Sequence, residues 1–244
     1  MLLRNILGLF FCVGSCVVQA SDLGYLDSFK EPSKVIHEPW QIVQLNKDIA
    51  PTQYQISRID GVLGIEARAN HSMSLLARPV TVNLNKTPVL CWRWRIDAPL
   101  VKADMKTKSG DDYAARVYVS FALPPSEIGW ILRSKLALAR SIWGDAVPDA
   151  ALNYVWDNRY PIGTHMPNAY TDRTRMIVAE TGAVNAGKWV EERHDVLKDF
   201  YAEFGPLDAR LIQLAVASDT DNTGETAHAG FADFKFIERG ARCY

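Results

Sequence analysis

From Pro88 to Ile96 the chain alternates without a break: Leu90, Trp92, Trp94 and Ile96 fall on one side of an extended backbone, and Cys91, Arg93 and Arg95 on the other. Successive side chains of a strand point to opposite faces. Two tryptophans and two aliphatics on one face form a wall that has to be buried against a second layer. The arginines behind it then require ionic partners or water.

The same period recurs along the chain. Gln53 to Ile59 and Val62 to Ala69 flank Asp60-Gly61, a hairpin signal, with Leu63, Ile65 and Ala67 expected inside and Gly64, Glu66 and Arg68 wet. Asp111 to Leu123 reads as a strand with Tyr113, Ala115, Val117, Val119 and Phe121 on one face and Asp112, Ala114, Arg116, Tyr118 and Ser120 on the other. Leu152 to Asp157, Arg175 to Thr181, Lys188 to Arg193, Ala209 to Ala217 and Ala229 to Ile237 add further strands, about ten in all. Asn158 to Arg173 reads as a long polar and aromatic loop, of the kind that often binds ligands.

Two stretches change period. Glu127 to Trp143 repeats Ile128, Ile131, Leu132, Leu136, Leu138, Ala139 and Ile142 at helical spacing, after Ser126 and before Gly144. The expectation is an amphipathic helix across an end or face of a sheet; Arg133, Lys135 and Arg140 are few basic residues for a membrane-surface helix. Asp195 caps a short helix over Val196 to Phe204 that Gly205-Pro206 ends. Strands and helices never alternate as βαβ. The expected fold is therefore all-β, a jelly-roll-like β-sandwich with one or two inserted helices, in a single domain over residues 21–244.

Charge is balanced, with 27 basic and 28 acidic residues and no basic stripe, which argues against nucleic-acid binding. At the N-terminus Arg4 precedes the apolar run Ile6 to Val18, and Val18-Gln19-Ala20 follows as a cleavage site. Residues 1–20 thus read as a secretory signal, with an apolar core too short for a transmembrane span. Val13-Gly14-Ser15-Cys16 offers an alternative, a lipobox that would anchor the protein through Cys16. Both place the mature protein outside the cytoplasm, in the periplasm or secreted. Outside the signal only Cys91 and Cys243 remain, either as a disulfide or as two free thiols.

The stretch Ser218-Asp219-Thr220-Asp221-Asn222-Thr223-Gly224 copies the opening of an EF-hand loop. Position 12 of such a loop would be Gly230, where a bidentate Glu is required, so an EF-hand is excluded. Two alternatives stay open: a turn whose Asp and Asn side chains cap backbone N–H groups, or a Ca²⁺ site on Asp219 and Asp221 completed by a carbonyl or by a distant carboxylate such as Glu180 or Asp199. If the Arg93 and Arg116 strands are neighbours, Arg93, Arg95, Asp112, Arg116 and Tyr118 form one polar face. That face is either an ion-pair network or a groove that grips a glycan, with Tyr154, Trp156 or Tyr170 as a stacking platform. Adjacent Asp111 and Asp112 on one strand would point opposite ways, and no HExxH, GxSxG or phosphate-loop motif is present.

Several of these stretches resemble an uncharacterised bacterial family catalogued as domain of unknown function 3047. They are Cys91-Trp92-Arg93-Trp94-Arg95, Gly110 to Val119, Leu152 to Trp156, Val178 to Gly182, and Ser218 to Gly224. The resemblance implies an exported protein with a sandwich akin to carbohydrate-binding folds, and no assigned activity. The expected function is a non-enzymatic binding module for a carbohydrate or cell-envelope polymer, contacting it through Arg93, Arg95, Asp112, Arg116, Tyr170 and Glu180. The alternatives are a polysaccharide hydrolase or lyase with carboxylates on a concave sheet face, and an envelope structural or partner-binding protein.

Overall fold

A computed structural model describes residues 25–27, 29–143 and 147–244. The expected signal sequence, with Cys16, lies outside the described residues. Twelve strands and two α-helices follow in order: β1 (Gln41–Val43), β2 (Gln53–Ile59), β3 (Val62–Asn70), β4 (Leu75–Pro79), β5 (Val89–Ile96), β6 (Arg116–Ala122), α1 (Trp130–Trp143), β7 (Ala150–Asp157), β8 (His165–Pro167), β9 (Thr174–Thr181), β10 (Val190–Asp195), α2 (Val196–Phe204), β11 (Arg210–Ala217) and β12 (Thr226–Ile237). They build a jelly-roll-like sandwich. One sheet runs β1-β4-β11-β6-β7-β9-β8 and the other β10-β5-β12-β3-β2. All pairings are antiparallel except β7 with β9.

The alternation in β5 decides where the core lies. Leu90, Trp92, Trp94 and Ile96 are wholly buried between the sheets. Trp92 meets Tyr154 of β7 at 5.4 Å between ring centroids, Trp94 meets Trp156 at 5.7 Å, and the two β5 indoles stand edge to face at 5.5 Å. Tyr154 and Trp156 are therefore core residues and not a stacking platform. The β2–β3 hairpin turns on Asp60 and Gly61, both at positive φ, in register Ile59↔Val62. Glu66 departs from the expected wet face. It is buried, because it accepts from Gln55, Arg68 and His228.

β5 and β6 are not neighbours. β5 pairs with β10 and β12, whereas β6 pairs with β11 and β7 in the opposite sheet. Both strands turn their apolar faces into the shared core, so their polar faces point away from each other. The single face expected to carry Arg93, Arg95, Asp112, Arg116 and Tyr118 does not exist. β6 also starts later than expected, at Arg116, and β8 lies inside the stretch expected to be loop.

The first helix departs from expectation as well. A 3-10 turn at Pro125–Glu127 precedes α1, which begins at Trp130. Ile128 and Leu136 join the core and Leu132 packs partly against it, but Trp130 and Ile131 stand in solvent.

Cys91, behind the tryptophan wall, bonds to Cys243 across a Cα–Cα distance of 5.8 Å. The bond ties the C-terminal segment to β5, an inner strand of the smaller sheet, and closes a loop of 152 residues. Closing a long loop restricts the unfolded chain, and removing such a bond costs about 2–4 kcal/mol. Cys243→Ser is expected to lower unfolding free energy by that amount in urea titrations. Added reductant should lower the wild type to the level of the variant and leave the variant unchanged.

Candidate functional site

The segment before β6 and the loop before β12 meet at one end of the larger sheet. Asp219 N–H donates to Tyr113 O at 3.1 Å, and Tyr113 N–H donates back to Asp219 Oδ1 at 3.0 Å. The loop is held from its other side by Thr52 Oγ1 on Ser218 O and by Thr220 N–H on Ser72 O. Gly224 closes it at φ +69°, a conformation that disfavours other residues. The Asp219 carboxylate thus caps not its own loop but a residue 106 positions away.

Arg116 is the centre of this region, at 2% exposure. Its Nη2 donates to Asp111 Oδ1 at 2.7 Å, its Nη1 to Tyr118 Oη at 2.6 Å, and its Nε lies 3.2 Å from Asp219 Oδ1. The Tyr113 ring packs 4.5 Å from the guanidinium carbon. Asp112 has no exposed surface and accepts from Thr223 N–H through Oδ2 at 2.6 Å. One carboxylate oxygen from each of Asp112, Asp219 and Asp221 lies within 4.8 Å of the others. Asp111 and Asp112 both reach this centre because the chain through Asp111 is irregular (φ −79°, ψ 52°) and not a strand.

Two further loops close over it. Asn168 Nδ2 donates to Asp111 Oδ2 at 2.7 Å and so docks the 158–173 loop. Tyr170, 54% exposed, donates to Lys108 O at 3.3 Å, with the Lys108 ammonium 5.1 Å from its ring. Gly110 fits where a Cβ would come within 2.7 Å of Asp104 N, so the 104–110 turn depends on glycine there.

Four carboxyl groups face one guanidinium in this centre. Burial, then the Asp112 and Asp111 charges, push the Asp219 carboxyl well above the ordinary range against the pull of Arg116. Burial and Asp112 raise Asp221 likewise. Burial opposes the charge on Arg116, but Asp111 and Asp219 outweigh it and hold the guanidinium charged. Tyr118 is pushed up to about 12 by burial, so it stays a neutral partner of Arg116.

The remaining expected site residues lie elsewhere. Arg95 sits 3.5 Å from Asp60 and 3.4 Å from Asp97. Arg93 pairs with Asp233 beside the Tyr244 ring. Glu180 accepts from Thr181 N–H and Asn185 Nδ2, and Asp199 from Tyr154 Oη, so neither completes a cation site with Asp219. Sequence reasoning missed Asp111, Tyr113, Asn168 and Thr223. The Asp111-Asp112 pair is the signal that the sequence carries, and a regular strand would divide it.

Arg93 lines a cleft with Tyr25, Asp27 and Asp233. Asp27 accepts from Asp233 N–H, and burial pushes its carboxyl up to about 7, with the Asp233 charge adding to the rise against that hydrogen bond. A carboxyl raised on folding favours the folded state fully below its ordinary value of 3.8, and the benefit is lost as pH rises to about 7. Asn keeps the acceptor and does not titrate. The melting temperature of Asp27→Asn relative to wild type is expected to be higher at pH 8 than at pH 4, by roughly 5 °C.

Removing Arg116 leaves buried carboxylates without their cation, a loss of about 3–5 kcal/mol. Arg116→Ala is expected to lose that much in urea unfolding. Arg116→Lys should recover only part of it, since an ammonium cannot reach Asp111, Asp219 and Tyr118 together.

No curated protein gives a significant match to the sequence. Among solved structures, the chain is similar to the endoglucanase Cel12A from Rhodothermus marinus, with 11% identity, a TM-score of 0.44, and coverage of 85% of this chain and 95% of the other. It is also similar to the xyloglucanase domain of NopAA from Sinorhizobium fredii, determined with cellobiose, with 8% identity, a TM-score of 0.36, and coverage of 84% and 100%. The model of a family described as protein of unknown function (DUF3047) matches residues 38–235. That span takes in the tryptophan strand, Asp111 to Arg116 and the 218–224 loop, and the chain belongs to this family.

Proposed function

We propose that the protein is an exported, non-enzymatic binding module for a carbohydrate or cell-envelope polymer, whose binding loops are fixed by a Ca²⁺ ion among Asp112, Asp219 and Asp221. The observation that carries this is Asp112, fully buried with Oδ1 lacking any hydrogen bond, in a cluster with two more carboxylates. A buried carboxylate oxygen without a partner is costly unless a cation or proton meets it. Thr223, whose N–H caps Asp112, buries a second orphan oxygen, its Oγ1. The donors are all hard oxygens, which suit Ca²⁺ rather than a thiophilic metal.

The loops that the ion would hold carry the exposed groups. Tyr170 is tied to the centre through Asn168 and Asp111, and presents a ring suited to stacking on a sugar. Arg159, half exposed at the start of the same loop, pairs with Asp104 at 3.0 Å. Export is supported by the N-terminal signal pattern and by a disulfide, which persists in oxidising compartments.

Thermal unfolding of the mature protein with EDTA and with millimolar Ca²⁺ tests the ion, and a glycan array with envelope-polymer pull-down tests the ligand. Ca²⁺ is expected to raise the melting temperature by several degrees, as any ligand of the folded state does. Asp112→Asn and Asp219→Ala should abolish the response, and Tyr170→Ala should weaken polymer binding while leaving it intact. A melting curve indifferent to Ca²⁺ and EDTA removes the ion, and an array without a hit removes the polymer.

A further inference from the structure

We propose that α1 docks the protein on an anionic lipid bilayer surface. The helix is 14 residues long; its three cations are few for a surface helix, but its sequence WILRSKLALARSIW holds no carboxylate to offset them. Its packing leaves apolar groups outside: Trp130 is 78% exposed and Ile131 54%, while Leu136 faces the core. Burying one large apolar side chain contributes about 1.5–3 kcal/mol, so leaving an indole and an isoleucine in water on one helical turn is a standing cost.

Three observations favour a bilayer as the occupant. The exposed apolar residues sit at the helix start beside Arg133 and Lys135, both exposed, which is the mixed apolar and cationic character of interfacial helices. Tryptophan is the side chain best suited to the headgroup boundary, with an apolar body and one N–H donor. The charge is of one sign: Arg140 is paired with Asp149, but Arg133 and Lys135 have no carboxylate partner among the described residues, and Glu127 lies before the helix in the 3-10 turn. Arg133 donates to Pro125 O at 2.9 Å, which holds the first turn of α1 against the preceding segment and fixes the direction of the apolar face. At 14 residues the helix is too short to cross a bilayer, so it lies on the surface.

The test is co-sedimentation of the mature, disulfide-bonded protein with vesicles of phosphatidylcholine alone and with added phosphatidylglycerol. The bound fraction should rise with phosphatidylglycerol and fall as salt is added. The double variant Trp130→Ser/Ile131→Ser should bind about tenfold more weakly, and Lys135→Glu should lose mainly the anionic dependence. Unchanged melting temperatures would show that these exposed positions leave the fold intact. Equal binding by wild type and the double variant, or none to the anionic vesicles, overturns the proposal. So does a concentration-dependent dimer in sedimentation that the double variant loses, because a second copy would then cover the face.

Discussion

Contact between the two sheets rests on four aromatic rings, Trp92 and Trp94 from one and Tyr154 and Trp156 from the other. Everything else is placed by that contact. Because β5 and β7 both turn their aromatic faces inward, the alternate side chains of the two strands point away from the shared core on opposite sides, and those of β7 are themselves buried under a second, smaller cluster. Cys91 lies behind the same wall, where its thiol bonds to Cys243 of the C-terminal segment. Rings of this size contribute several kcal/mol each on burial. That is more than the neighbouring ion pairs supply, so the aromatic register, and not the charges, sets how the sheets stack.

The acidic centre follows from the end of that register. Before Arg116 the chain has not yet joined the ladder, and irregular backbone allows Asp111, Asp112 and Tyr113 to converge instead of alternating. Three loops then share one set of partners: 104–115 through Gly110 and Asp111, 158–173 through Asn168, and 218–224 through Asp219. A change at any one of them is felt by the other two. That coupling makes the exposed Tyr170 part of an ordered surface.

Much of this was legible in the sequence. The period of two in β5 and β2–β3 specified the strands, the Asp60-Gly61 hairpin and the sandwich class, because burial enforces alternation. The Ser218–Gly224 loop showed its acid and its glycine. Pairing of distant segments was not legible. Which sheet β6 joins depends on its neighbours β7 and β11, and nothing local to Asp111–Leu123 encodes that choice. The joining of Asp112 to Asp219 spans a similar distance, and the assumption of a regular strand hid it. The period at 127–143 is helical only from Trp130 onward, and Trp130 and Ile131 in that stretch stand outside the core. Periodicity reports that a face is apolar and not what covers it.

Magnitudes separate the two arginine systems that the sequence presents as alike. Arg93 and Arg95 pair with Asp233, Asp60 and Asp97, carboxylates that are themselves part-exposed, and pairs of that kind contribute at most about 1 kcal/mol. Two guanidinium groups there meet three carboxylates. Arg116 is sealed, as are three of the four carboxyls about it, so each unmatched charge there costs several kcal/mol. An arrangement whose only purpose was stability would use fewer acids, or none, since apolar replacement of a buried ion pair is often neutral or better. The excess of carboxylate over guanidinium at Arg116 is therefore what stability alone does not account for, and a proton or a cation can meet it.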